Sequence, residues 1–353
     1  MRVFSTLPQE DLRKVGPAAR ALEAEGYDGV VCMENRHDPF LPLAVAAMQT
    51  TRLELHTGIA IAFARSPMTV ANMGWDLAGA TGGRFVVGLG PQIKAHNERR
   101  FSVPWSAPAP RMREYVQALR AIWQTWKTGD KLAYEGAHYR FTLMPPNFVP
   151  EPIDAPAPAI TIAAVGPAMV TVAAEECDGV KLHVFSTRKY LEQEVLPRLA
   201  AGLVKVGRAR AHYEISGGGF LATGPDDATV QAMFDWVRQR VAFYGSTPAY
   251  WPVLAAHGLD DLGQALNQLT RQGRWSEMEG LVSDDVVQLF AAVGRHDQIV
   301  KVIAERFGGL VDAVQASANS AVPANLPPDL IQDIKRLPRV FQGFGAIPAR
   351  TPP

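Results

Sequence analysis

Eight short apolar segments alternate with helical patterns along this chain, and this alternation restricts the fold more than any other feature. Segments such as 28–33 (DGVVCM) and 84–90 (RFVVGLG) are apolar on both faces, and a helical pattern follows each of them. Strands of this kind indicate a parallel sheet that helices cover on both sides. Eight repeats favour a closed (β/α)8 TIM barrel, because open doubly wound sheets usually have about five to seven strands. The predicted strands are 1–6, 28–33, 53–63, 84–90, 159–164, 178–184, 213–222 and 311–315.

The chain is longer than a minimal barrel of this kind, which needs about 250 residues. The surplus falls in two insertions, 91–158 after the fourth strand and 247–292 after the seventh helix. Within the first insertion, LAYEGAHYRF (132–141) predicts a hairpin that turns at its Glu-Gly pair. No change in composition marks a domain boundary, so we predict one domain over 1–325 and a proline-rich surface tail over 326–353.

Composition excludes several classes of function. The chain has 35 basic and 35 acidic residues, and this balance gives no reason to expect nucleic acid or an anionic membrane as a partner. No apolar stretch approaches the roughly 20 residues of a membrane helix, and the N-terminus lacks the pattern of a signal peptide. Cys32 and Cys177 lie in apolar segments, which is typical of reduced core residues in a cytoplasmic protein. No Cys/His spacing predicts a metal site.

Polar residues follow the second strand, where a barrel enzyme carries its active site. Glu34, Asn35, His37 and Asp38 come together at this strand end. They could form a cluster that transfers protons or orients a substrate. They could equally form a solvated loop, in which Asp38 precedes Pro39 at a helix start. The residues alone leave both interpretations open.

Small residues mark the third and fourth strands. Gly58, Ala60 and Ala62 alternate along one face, which would admit a flat ligand or simply fill a tight layer of the barrel. Arg65, which follows, could meet an anion or solvent. Gly88 and Gly90 would let a ligand approach the backbone closely. A polar stretch comes next, with Gln92, Lys94, His96 and Glu98.

The fifth strand ends in a turn that suits a phosphate group. Gly166 gives the turn and Pro167 opens a helix, whose free amides and dipole favour a bound anion. His183, at the end of the sixth strand, could face the same rim or be a satisfied core residue. The residues therefore predict a rim site for a flat molecule that bears a phosphate, and they do not name the molecule.

Several stretches of the chain resemble the luciferase-like flavin-dependent superfamily, and in particular its actinobacterial branch that uses the deazaflavin coenzyme F420. The resemblance is carried in chain order by ALEAEGYDGVVCMENRHDPFLPLAVAA, AFARSPMTVANMGWDLAGATGGRFVVGLGPQIKAHNERRF, PWSAPAPRMREYVQALRAIW and AAVGPAMVTVAAEECDGV, over about 1–185. It implies a (β/α)8 barrel with a flavin or deazaflavin at the C-terminal rim, and a homodimer.

The resemblance also implies which residues contact the cofactor. The third strand would back the ring with a bulge within 57–61, where relatives often have a non-proline cis peptide bond. The phosphate would bind the turn after the fifth strand. The cofactor-binding residues implied in this way are Asn35, Gly58, Ile59, Ala60, Gly90, Pro91, Gln92, Val165, Gly166, Pro167, Ala168 and Met169.

The chain departs from the family pattern at the residue that is expected to transfer a proton. Relatives commonly have an acidic residue followed by histidine at the end of the second strand, whereas this chain has Glu34 and Asn35. Asparagine cannot relay a proton at neutral pH. His37, His96 and Glu98 are therefore the catalytic candidates, and Glu34 is expected to orient them or the substrate. Residues expected at the substrate are Lys94, Trp105, His183 and Trp251, with Tyr139 and Phe148 as further apolar walls.

Three functions follow from this comparison. The first is an F420-dependent oxidoreductase that transfers a hydride between C5 of the deazaflavin and a small organic substrate. The second is an FMN-dependent monooxygenase that receives reduced flavin from a partner reductase. The third is a flavin-binding barrel without catalytic activity. This alternative remains because Asn35 replaces the usual histidine.

Overall fold

Eight parallel strands close into a ring at the centre of the molecule. The computed structural model describes residues 1–316 and 326–345. The strands of this sheet are β1 (Arg2–Thr6), β2 (Gly29–Cys32), β3 (Glu54–Thr57), β4 (Ala60–Ile61), β5 (Phe85–Gly90), β8 (Ala159–Ala164), β9 (Gly179–Leu182), β10 (Glu214–Gly217) and β13 (Ala313–Gln315). Their order in the sheet is β3-β2-β1-β13-β10-β9-β8-β5-β4, and a further pairing of β3 with β5 closes it.

The predicted (β/α)8 barrel is therefore confirmed. β3 and β4 are two parts of one barrel strand, since both pair with β5 and only residues 58 and 59 separate them. Every pair in the ring is parallel, for example His56 with Val86 and Ser216 with Ala313. Helices cover the outside of the ring, as the alternation predicts.

The helices begin and end at the residues that usually cap them. Asp11 caps α1, where its side chain accepts a hydrogen bond from the amide of Arg13, and Ser66 caps α3 in the same way. Gly82 ends α3 with a left-handed backbone, at a φ of 61°. The helices are α1 (Leu12–Glu25), α2 (Phe40–Ala47), α3 (Pro67–Thr81), α4 (Lys94–Arg99), α5 (Pro108–Thr128), α6 (Pro167–Glu176), α7 (Arg188–Tyr190), α8 (Leu196–Lys205), α9 (Asp227–Gly245), α10 (Trp251–Ala255), α11 (Asp260–Arg271), α12 (Asp284–Phe290), α13 (Ile299–Phe307) and α14 (Pro328–Lys335). A π-helical turn, Leu191–Val195, joins α7 to α8. Across the described residues, none of these helices combines the length and apolar character that crossing a membrane requires.

The first insertion contains the predicted hairpin. β6 (Tyr134–Glu135) and β7 (Arg140–Phe141) pair antiparallel. The carboxylate of Glu114, on α5, accepts hydrogen bonds from the amides of residues 137, 138 and 139 at 3.0, 2.7 and 3.2 Å. The hairpin is thus fixed to the long helix that precedes it.

The seventh strand differs from the prediction. The pattern over 213–222 predicts one strand, whereas the structure has β10 and then β11 (Phe220–Gly224). Gly217, the last residue of β10, and Gly218, which follows it, have φ angles of 86° and 89°, which favour glycine. β11 pairs in parallel with β12 (Ala291–Arg295), a strand within FAAVGR that the sequence did not reveal.

The C-terminal segment also differs from the predicted surface tail. Residues 328–335 form α14, in which Leu330, Ile331 and Ile334 are buried in the main core. Lys335 makes an ion pair with Asp28 at 3.1 Å. The proline content predicts an extended chain. Instead, Leu330, Ile331 and Ile334 recur at helical spacing and form one apolar face of a helix. The proposed boundary at 325 and the end of the tail, 346–353, lie outside the described residues.

The interior of the barrel contains a buried network of charged residues. Arg2 contacts Glu54 at 2.6 Å and Glu214 at 2.5 Å. Nε2 of His56 lies 2.9 Å from Glu54, and Nδ1 of His56 lies 3.2 Å from Nζ of Lys181. Burial raises the pKa of Glu54, but the hydrogen bond from His56 and the charge of Arg2 outweigh it and bring this pKa to about 2. Burial lowers the pKa of both His56 and Lys181.

Candidate active site

The bulge in the third barrel strand lies where the resemblance placed it. The peptide bond between Gly58 and Ile59 is cis, as expected within 57–61. The amide of Gly58 donates to the carbonyl of Cys32 at 2.7 Å, and the amide of Glu34 donates to the carbonyl of Ile59 at 3.1 Å. Both bulge residues are half-buried, so this backbone is accessible at the C-terminal rim.

Glu34 fixes the bulge from the end of β2. Its Oε2 accepts hydrogen bonds from the amide of Ile61 at 2.7 Å and from Nη1 of Arg65 at 2.6 Å. Arg65 also contacts Asp38 at 2.7 Å. Burial lowers the pKa of Arg65, but hydrogen bonds to the two carboxylates outweigh it and raise this pKa above its ordinary value. The anion that Arg65 meets is therefore the chain's own pair of carboxylates.

The other polar candidates near this rim are exposed. Asn35 and His37 lie on an exposed turn, where the Asn35 side chain accepts from the amide of Arg36 and its carbonyl accepts from Arg100. Lys94, His96 and Glu98 lie on exposed positions of α4, and Lys94 and Glu98 are 3.9 Å apart. His37, His96 and Glu98 are exposed, and among the described residues no hydrogen bond or ion pair joins any two of them.

The glycines at the end of β5 accommodate the chain itself. A Cβ on Gly88 would lie 1.9 Å from the carbonyl oxygen of Thr57, and one on Gly90 would lie 2.7 Å from the Ile59 side chain. This packing accounts for both glycines, whose predicted role was close approach by a ligand. Ala60 and Ala62 are both 0% exposed and belong to the main apolar core, so their side chains do not form an open face. Pro91 and Gln92 follow at the rim and are half-buried, and Gln92 has a φ of 59°.

The turn after β8 is open at the start of α6. No side chain caps this helix, and a Cβ on Gly166 would have nothing within 4 Å. Pro167 and Ala168 are exposed, whereas Met169 is buried. The carbonyl of Val165 accepts a hydrogen bond from Oη of Tyr190 at 3.2 Å. The first amides of α6 therefore have no side-chain cap, as a phosphate site requires.

An aromatic cluster surrounds His183 at the end of β9. The rings of His183 and Tyr250 stack with centroids 4.7 Å apart, and the ring of Tyr244 meets His183 edge-on at 4.6 Å. The amide of Phe185 donates to Nδ1 of His183 at 3.0 Å, and Oη of Tyr250 lies 3.3 Å from Nε2. Burial lowers the pKa of His183 to about 4, so the ring is neutral at physiological pH.

The predicted aromatic walls lie in different surroundings. Nε1 of Trp251 donates to the carbonyl of Gly245 at 3.0 Å, so this ring packs between helices. Trp105 is half-buried. Oη of Tyr139 accepts from Nε of Arg111 at 3.0 Å, and Phe148 is 72% exposed.

Comparison with known proteins identifies the family. The model of the luciferase-like monooxygenase family matches residues 2–313. The chain belongs to this family.

Individual relatives of this luciferase-like protein differ in how much is known of them. It is 47% identical over 314 residues to an uncharacterized protein of Mycobacterium tuberculosis, with 89% of this chain and 92% of the relative covered. It is 27% identical over 286 residues to the 5,10-methylenetetrahydromethanopterin reductase of Archaeoglobus fulgidus, with 79% and 81% covered. Among solved structures, the coenzyme F420 dependent tetrahydromethanopterin reductase of Methanopyrus kandleri has a TM-score of 0.74 at 20% identity, over 95% of this chain and 97% of that one.

Two features of this luciferase-like barrel were missed by sequence reasoning. One is Lys181, which lies two residues before the predicted residue His183, and this spacing was available in the sequence. Tyr250 lies in the insertion 247–292, where no periodic pattern distinguishes it. Only the folded chain brings Tyr250 to His183.

Proposed function

We propose that this protein is an F420-dependent oxidoreductase that transfers a hydride between the deazaflavin and a small organic substrate. The observation that carries the proposal is the bulge at Gly58 and Ile59, which is accessible at the rim and is fixed by Glu34. The relatives named as F420-dependent or methanopterin reductases support the choice of cofactor.

The described residues fit a phosphorylated planar cofactor. The uncapped amides of Ala168 and Met169 would hold the phosphate, and the half-buried backbone of Gly58 and Ile59 would lie against the ring. When bound, the deazaflavin supplies a hydride at its C5 carbon.

The chain's own residues would position the ring and exchange protons with solvent. Glu34 accepts hydrogen bonds from two donors through one oxygen, which suits it to hold the bulge in place. His37 is exposed on the same loop and is available for proton exchange, and Glu98 is exposed on α4. These assignments are the part of the proposal that mutation tests most directly.

A titration of the purified protein with F420 and with FMN, followed by fluorescence quenching, tests the choice of cofactor. We expect F420 to bind more tightly. Tighter binding of FMN would contradict the proposal and favour the monooxygenase alternative, which the family description also allows. Binding of F420 without turnover of any acceptor in a broad panel would favour a non-catalytic binding protein.

An Ala168→Pro variant tests the phosphate site, because proline removes one amide donor from the first turn of α6 while fitting a helix start. We expect F420 to bind about tenfold to 100-fold more weakly, since a hydrogen bond to a charged group is worth about 1.5–3 kcal/mol. Ala228→Pro, the same change at the second residue of α9, is the matched control and should bind F420 normally. Equal affinity of both variants would place the phosphate elsewhere.

A further inference from the structure

The hydrogen bonds of His183 determine where its proton lies. A backbone amide can only donate, so Nδ1 of His183, which lies 3.0 Å from the amide of Phe185, must be unprotonated. The single proton of a neutral imidazole is then on Nε2. Nε2 lies 3.3 Å from Oη of Tyr250, and it must be the donor in that contact.

This direction leaves the phenol hydrogen of Tyr250 without a partner. Oη accepts from His183, and within the described part of the chain it has no second hydrogen-bond partner. Burial, with a smaller effect of Tyr244, raises the pKa of Tyr250 to about 12, so the phenol keeps its hydrogen at neutral pH. Tyr250 is half-buried, so this donor is accessible to a ligand at the rim.

The pair faces the mouth of the barrel. Lys181 points into the barrel interior, where its Nζ lies 3.2 Å from Nδ1 of His56. His183 directly follows the last residue of β9, and continued alternation of side chains from Lys181 places it on the same face. The Lys181 side chain passes 3.9 Å from a Cβ built on Gly58 and 2.8 Å from one built on Gly88. His183 and Tyr250 therefore stand one layer above the residues that underlie the bulge.

We propose that the phenol of Tyr250 binds an uncharged oxygen of the substrate, and that His183 positions it. The inference rests on the proposed function for the reaction that follows, and it names the substrate class as an apolar ketone, aldehyde or the corresponding alcohol. The surroundings favour a neutral oxygen over a carboxylate, because the aromatic rings of Tyr244 and Phe185 flank the pair. Tyr250 is the binding residue, and His183 is a positioning residue that acts through it.

The test uses the full chain labelled with 13C at the ζ carbon of tyrosine, without and with saturating F420. Cyclohexanone is the probe, and methylenecyclohexane has the same shape without an oxygen. We expect cyclohexanone to shift the Tyr250 resonance, which Tyr250→Phe assigns by its loss. We also expect Tyr250→Phe to weaken cyclohexanone binding about fivefold to tenfold, as the loss of one neutral hydrogen bond predicts, and to leave methylenecyclohexane binding unchanged.

Tyr244→Phe is the matched control, because it removes a neighbouring hydroxyl that makes no bond to His183. Its cyclohexanone affinity should equal that of the wild type. His183→Gln can present an amide donor near the position of Nε2 and should retain most of the affinity, whereas His183→Leu should lose it. Wild-type affinity should be constant from about pH 6 to about pH 9, since both groups keep their protonation over this range.

Two results would overturn the inference. One is equal cyclohexanone affinity of wild type and Tyr250→Phe. The other is no shift of the Tyr250 resonance, with or without F420, up to the solubility limit of the ketone. The Tyr250 resonance is measured independently of the cofactor titration. If cyclohexanone shifts this resonance but F420 does not bind, only the proposed function is contradicted. If F420 binds but cyclohexanone does not shift the resonance, only this inference is contradicted.

Discussion

Glu34 joins three parts of the rim through one carboxylate and one amide. It connects the end of β2 to the bulge through Ile59 and Ile61, and to the start of α3 through Arg65. Its side chain is 7% exposed and that of Arg65 is 15% exposed, so water replaces these contacts poorly. A residue in this position affects both the stability of the rim and the shape of the surface that a cofactor would meet.

Glu34→Ala should lower the free energy of unfolding by about 2–4 kcal/mol, because it leaves Arg65 and the amide of Ile61 short of a buried partner. Glu34→Gln keeps an acceptor and should lose less. Denaturant titration measures both, and F420 affinity should fall in the same order. Glu305→Ala, at a 64% exposed position of α13, is the control, and a loss for Glu34→Ala no larger than for this control would contradict the role of Glu34.

His183 should make stability depend on pH in a defined window. Its pKa of about 4 in the folded protein lies below the ordinary 6.5, so the unfolded chain binds the proton more tightly. The free energy of unfolding should therefore decrease as the pH falls from about 6.5 to about 4, by up to about 3 kcal/mol from this residue.

Comparison with His183→Asn isolates that contribution, since buried His56 titrates in the wild type and the variant alike. The difference in unfolding free energy between the two proteins should change across this window and be constant above it. His96→Asn, at an exposed position of α4, should follow the wild type. Parallel curves for wild type and His183→Asn would show that the ring is not desolvated.

At the scale of single elements, the bulge of the third barrel strand packs into space that two glycines of β5 leave free. The side chain of Ile59 occupies the space that Gly90 leaves, and the carbonyl of Thr57 occupies the space at Gly88. The two glycines therefore differ in what a substitution would displace, a side chain in one case and backbone in the other.

Gly90→Ala should destabilise the protein by about 1–3 kcal/mol, and Ile59→Ala in the same background should relieve the overlap. The double variant should be more stable than the sum of the single changes, which a double-mutant cycle measures. Gly88→Ala is the control, because no side-chain truncation relieves its contact with backbone, so Ile59→Ala should not rescue it. Additive effects at Gly90 and Ile59 would contradict the contact.

The hairpin of β6 and β7 should depend on Glu114. Glu114→Ala removes the acceptor for three amides, so exchange of the amide hydrogens of 137, 138 and 139 should accelerate about tenfold or more. The amide of Ala62, which donates to Gly90 in the barrel, should exchange as in the wild type. Unchanged exchange over 137–139 would show that the hairpin holds its shape by other contacts.

The elements that could be predicted from the sequence have start and stop residues within their own segments. α6 begins at Pro167 as predicted, and it ends at Glu176, two residues before Asp178 begins the predicted strand 178–184. β12 was missed because its five residues form a strand only by pairing with β11, which is about 70 residues away. α14 was missed because prolines on both sides masked a short apolar face.

At the scale of the whole molecule, the barrel closes around charge as well as apolar side chains. Phe4, Val31 and Ala313 form a small apolar cluster of their own. Arg2 connects two carboxylates from opposite sides of the ring, Glu54 on β3 and Glu214 on β10. The charges of the network therefore hold strands together that are distant along the sheet.

Arg2→Met should lower the free energy of unfolding by about 3–5 kcal/mol, because it leaves the buried carboxylate of Glu214 and the half-buried carboxylate of Glu54 without their guanidinium. Chemical denaturation at neutral pH measures the change. Arg13→Met, which removes an exposed guanidinium beside Asp11, should leave stability unchanged. A variant as stable as the wild type would show that water or Lys181 compensates the two carboxylates.

The barrel could be predicted from the sequence and most of the site's contacts could not. The fold follows from the alternation of apolar strands and helices, which repeats eight times along the chain. Each repeat therefore supports the same interpretation. The pair of Glu34 with Arg65 joins residues 31 positions apart, and that of Tyr250 with His183 joins residues 67 apart. Such contacts depend on where the ring brings strand ends together, which no local pattern encodes.

The position of β13 has a consequence for synthesis of the chain. β13 is the last barrel strand in the sequence, and it fills the gap between β1 and β10. A nascent chain that has not yet released it presents two unpaired strand edges, which are open to pairing with other chains. The ribosome must therefore deliver more than 300 residues before the ring can shut, and chaperones have their greatest opportunity to act on this protein during that interval.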